Sequence, residues 1–172
     1  LHAYERGNYE EAEQLLRAVA EKYDYLWGIS REQFGNFASD ARFFQIDCLR
    51  RLGRYVDIGS AMDTNTGRNL ENTIDEVYLP DLKLFNLWSA YANDDWDTIA
   101  AAVTEYETAL PPDAEEYVTV PELDAAPAVA VQLHFLRGKV FESKGETESA
   151  LRDFYRTMTY GFGGDRLLTK LA

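Results

Sequence analysis

The stretch Leu133–Tyr160, LHFLRGKVFESKGETESALRDFYRTMTY, restricts the chain more than any other. Its apolar residues recur at helical spacing on both sides of one glycine. Before Gly145, Leu133, Leu136 and Val140 share a stripe with Phe141 beside them; after it, Ala150, Leu151, Phe154 and Met158 recur every three or four residues. Two amphipathic helices folded back on each other satisfy both stripes. Gly145 can take the left-handed conformation that ends a helix, and Gly138, with no side chain, lets a neighbouring helix approach closely. Glu146, Glu148 and Asp153 place negative charge near the positive end of the second helix, with Arg152 and Arg156 further along.

The pattern returns in weaker forms at Leu1–Tyr23, Ala41–Met62 and Leu82–Leu110. In the first, Gly7 sits at the turn, Tyr9 follows, and Ala12 and Leu16 come next. In the second, Gly53 is followed by Tyr55, Ile58 and Met62. In the third, Asp94 or Asp95 replaces the glycine, ahead of Trp96, Ile99, Val103 and a closing Pro111. If Leu84, Leu87, Trp88 and Tyr91 form its packing stripe, its turn is one residue short. Small and aromatic residues in these places resemble the tetratricopeptide repeat, with its Trp-x2-Leu-Gly-x2-Tyr, Ala-x3-Phe and closing Pro. The residues that carry the resemblance best are Gly138, Phe141, Ala150 and Phe154. His134 and Arg137 stand where the motif has Trp and Leu, and no Pro closes that unit. The first unit enters the motif midway through a helix, so the resemblance implies that a preceding half-repeat belongs to a longer protein.

The resemblance implies an all-α fold, a right-handed superhelical solenoid of antiparallel hairpins forming one domain over residues 1–172. Its units would be 1–24, 40–63, 81–111 and 128–160, with 165–172 a capping helix or the start of another unit. The turn-to-turn distances exceed the family's period of about 34 residues, so the surplus falls in longer helices or in the connections Asp24–Asp40, Asp63–Pro80 and Pro111–Pro127. Within the first, Ser30 and Gln33 have the spacing of a capping box that would start a long helix.

With 46% hydrophobic and 13% aromatic residues in 172, the chain can bury a substantial core. No apolar run is long enough to cross a bilayer. That fits a soluble chain without separating cytoplasm from periplasm. The net charge of −13 is uneven. Between Lys83 and Arg137 there is no Lys or Arg, while Asp94, Asp95, Asp97, Glu105, Glu107, Asp113, Glu115, Glu116, Glu122 and Asp124 are all acidic. Nucleic acids and anionic membranes require clustered basic residues, so both are unfavourable partners. A basic peptide or protein face would be steered toward the window, although the same charge would also serve a solvated surface.

Arrays of this family bind peptides along a concave face lined by the first helix of each hairpin. By resemblance, that face holds Phe43, Phe44, Asp47 and Arg50, then Phe85, Trp88 and Tyr91, then Gln132, Phe135, Lys139 and Glu142, with Asp94 and Asp95 adding charge. Each of these aromatics has a competing role as plain core. The Lys and Asn clamp with which some members grip a C-terminal carboxylate is not matched, since Lys139 stands alone.

Chemistry finds little support. His2 and His134 are the only histidines and Cys48 the only cysteine, which leaves no zinc set, no internal disulfide and no implied cofactor. Cys48 lies in an apolar helical segment and reads as a core thiol. Asp63, Asn65 and Asn69 vaguely follow a calcium loop, but its glycine is displaced and Ile74 occupies the place of the bidentate Glu. Gly161–Gly164 follows a helix, which suits a helix stop before a cap at Asp165 better than a phosphate loop. Catalysis would require a buried cluster of polar, titratable side chains. The expected function is therefore a non-enzymatic scaffold or adaptor for a protein or peptide. The alternatives are a ligand-sensing domain of a larger protein and a self-associating module.

Overall fold

The computed structural model describes residues 1–26, 31–62, 79–109 and 126–160. Within them every regular element is a helix: α1 (His2–Glu5), α2 (Tyr9–Leu26), α3 (Arg31–Arg51), α4 (Tyr55–Met62), α5 (Leu79–Ala92), α6 (Trp96–Ala109), α7 (Ala126–Ser143) and α8 (Thr147–Tyr160). Among the described residues the fold is all-α, and the chain divides into two compact units, Leu1–Asn93 and Asp94–Ala172.

The helix breaks follow one local rule. Gly7, Gly53 and Gly145 adopt φ of 75°, 71° and 74°. At each, the glycine N–H donates to the carbonyl three residues back and the next N–H to the carbonyl five back, as in Asn8 to Ala3, Arg54 to Leu49 and Glu146 to Phe141. This double bond pattern satisfies carbonyls that a helix end would otherwise leave open. Between α5 and α6 the left-handed residue is Asp94, at φ 55°. The break from Ala92 to Trp96 is as long as the other three, so the third turn is not shortened.

Helix starts are equally local. The Asn8 amide bonds Glu11 Oε2 at 2.6 Å ahead of α2, and Asp95 caps α6 by accepting from the Thr98 N–H and hydroxyl at 3.2 and 2.7 Å. Pro80 and Pro127 are each the second residue of a helix, where a missing N–H costs nothing. Both prolines therefore open helices. Helix α3 begins well before residue 40, the expected start of its unit. Pro111, the capping box at Ser30, the Asp63–Asn69 loop, Gly161–Gly164 and the segment 165–172 lie outside the described residues.

Packing follows chain order. In the first unit α2 lies along α3, α3 against α4, and α4 against α5. Ala12, Leu16 and Ala20 of α2 meet Ala41 and Cys48 of α3, flanked by Tyr4, Tyr9 and Phe44. Small residues at this crossing let the helix axes come close. Ile58 and Ala61 of α4 are buried, as are Leu82, Leu84, Leu87 and Trp88 of α5. In the second unit α7 contacts both α6 and α8. A Cβ on Gly138 would stand 2.5 Å from the Phe154 ring, so only glycine permits this α7–α8 approach.

Candidate functional site

The turns set a common register. The fifth residue after each left-handed position is Ala12, Ile58, Ile99 or Ala150, and all four are buried. The ninth is Leu16, Met62, Val103 or Phe154, each buried or half-buried. A pair of apolar residues four apart thus recurs after each turn.

The first helices carry the side chains expected to read a partner. In the first unit most of them are interior. Phe43, Phe85 and Trp88 are buried, with the Phe43 and Phe85 rings 5.3 Å apart and Trp88 stacked on Tyr55 at 4.6 Å. Phe44 and Tyr91 are half-buried, the former edge-on to Tyr4 and the latter edge-on to Trp88. In the second unit Gln132 and Phe135 are buried, Lys139 is half-buried and Glu142 exposed. Lys139 bonds Glu142 at 2.8 Å and lies 5.5 Å from the centre of the Phe154 ring. Phe141 is half-buried. Asp94, Asp95, Asp97 and Glu105 are exposed at α6, which also carries Glu107, while Asp113, Glu115, Glu116, Glu122 and Asp124 lie outside the described residues.

Asp47 and Arg50 belong to an interior ionic cluster. Asp47 Oδ1 accepts from Arg50 Nε at 3.0 Å; its Oδ2 accepts from Arg51 Nε at 2.6 Å and from the Tyr4 hydroxyl at 2.5 Å. Arg51 continues to the Tyr9 hydroxyl at 3.1 Å and lies over the Tyr9 ring. Three helices are thereby joined through one carboxylate. Alongside, buried Glu13 of α2 accepts from Gln45 Nε2 of α3 at 3.0 Å, with Arg17 and Arg54 within 3.8 Å. Burial pulls the Asp47 pKa upward, but the Arg50 and Arg51 charges and the bonds from Arg51 and Tyr4 outweigh it and hold the value below the usual carboxylate range. Burial and then Asp47 push the Tyr4 hydroxyl up, and burial pushes the Cys48 thiol up to about 12. Each group is driven deeper into its ordinary charge state. A proton-transfer residue needs the opposite, a pKa brought toward the working pH.

The second unit has a smaller counterpart. Asp153 is buried and takes two bonds from Arg137, at 2.5 and 2.6 Å, with His134 Nδ1 3.4 Å away. Arg137 and His134 thus hold α7 to α8 from the places where the repeat motif has Leu and Trp. Burial raises the Asp153 pKa, but bonds from His134 and Arg137 outweigh it and leave the value low. Among the described residues no three His, Cys, Asp or Glu side chains are grouped to hold a metal, and no helix is long and apolar enough to cross a membrane.

Sequence reasoning missed Tyr4, Glu13, Gln45 and Arg51 as a set. One signal was present, since Glu13 interrupts an otherwise apolar face between Ala12 and Leu16. No family model, no curated protein and no solved structure matches this chain.

Proposed function

We propose that the chain is a tetratricopeptide-like helical repeat domain, a right-handed solenoid, whose function is to hold a protein or peptide partner. The observation that carries this reading is the common register. Four left-handed turns at Gly7, Gly53, Asp94 and Gly145 are each followed at the same distance by a buried small or aliphatic residue. A protein built from such units gains stability by stacking each on the next, and it offers an extended surface in place of a closed catalytic cleft. The interior charges support the same conclusion, because Asp47, Tyr4 and Arg51 are all locked in their ordinary charge states.

Of the side chains expected to read a partner, those accessible among the described residues are the exposed carboxylates at the start of α6, Glu142 and parts of Phe44, Tyr91 and Lys139. A basic peptide or protein face suits the carboxylates, through steering by long-range charge. The test is affinity capture with the whole chain, repeated with Asp94, Asp95 and Asp97 all changed to Asn. Asparagine tolerates the left-handed conformation at 94 and still caps a helix at 95, so only charge is removed. Specific capture lost in the triple variant places the partner at α6. Equal capture by both forms moves the partner to another face. Failure to capture any specific partner would overturn the scaffold reading.

A further inference from the structure

We draw no further inference here: the strongest candidate, the exposed apolar face that Leu151, Tyr155 and Met158 form on α8, carries none because nothing in the structure shows what covers it.

Discussion

The α2–α3 junction and the α7–α8 hairpin solve the same problem of holding two long helices together, and they use opposite means. At α7–α8 the contact is steric and local. Gly138 admits the Phe154 ring, and one buried carboxylate, Asp153, is held by Arg137 from the facing helix. At α2–α3 small apolar residues are mixed with buried charge, and the ties run across the sequence: Gln45 to Glu13, and Tyr4 of the neighbouring α1 to Asp47. Buried ion pairs add little net stability over apolar packing, but they penalise any register that leaves a charge unmatched. The first unit therefore depends on partners that must all be present, and the second on the absence of one side chain.

The sharpest way to break that contrast is Asp47→Ala. It removes the acceptor shared by Arg50, Arg51 and Tyr4 while Arg50 stays interior. We expect a loss of about 3 kcal/mol, the lower end of the range for breaking a buried pair. Hydrogen exchange should show the loss in the amides of α2 and α3. A loss below about 1 kcal/mol would mean that the cluster is solvated and the apolar crossing alone holds the junction.

Gly138→Ala tests the other side. Its methyl must displace the Phe154 ring, and overpacking of this kind costs about 1–3 kcal/mol. Exchange should now accelerate in α7 and α8. Phe154 is only half-buried, so its ring has some room to turn, and the double variant Gly138→Ala with Phe154→Leu should recover part of the loss. No recovery would place the strain in the backbone.

Acid separates the two designs less strongly. Asp47 and Asp153 both have pKa values lowered in the folded state, so each contributes stability that is fully present above the unfolded value of about 4 and is lost as the pH falls through the lowered one. Urea midpoints should be flat above about pH 5 and fall below about pH 4. In Asp47→Ala the acid-dependent loss should shrink to the part that Asp153 supplies. An unchanged acid slope would mean that Asp47 is not held ionised by its arginines.

The same contrast explains what was legible beforehand. The α7–α8 hairpin could be read because its determinants lie within one stretch: a period, a turn glycine and a small residue facing an aromatic. The turns at Gly7 and Gly53 were legible for the same reason. The α2–α3 cluster was not, because Tyr4 and Asp47 are 43 residues apart and their pairing follows from helix stacking. Aromatic pattern misled in a related way. Phe43, Phe85 and Trp88 fall on first helices, but each first helix in the first unit has neighbours on more than one side, so the rings that suit a groove are spent on the core. Leu151 and Met158 recur at helical spacing with Ala150 and Phe154, yet both are exposed.

The smallest expected effects lie at the turns, where Gly145 and Asp94 do the same work with different residues. Gly145→Ala meets no atom within 4 Å, so its cost is the left-handed backbone alone. That penalty is about 1–2 kcal/mol, offset by about 0.4–1 kcal/mol from the less flexible unfolded chain, which leaves a loss of about 1 kcal/mol. Asp94→Gly runs the comparison backwards. Aspartate tolerates φ 55° better than most residues, so the strain relieved is below that penalty, and glycine returns about 0.5–1 kcal/mol of chain entropy to the unfolded state. It also removes a negative charge next to the start of α6, a further small loss. These terms nearly cancel, and thermal melts should place Asp94→Gly within about 0.5 kcal/mol of the wild type. A stabilisation above about 1 kcal/mol would show the third turn to be a strained substitute for glycine, whereas near-neutrality makes it an equal member of the series that Gly7, Gly53 and Gly145 define.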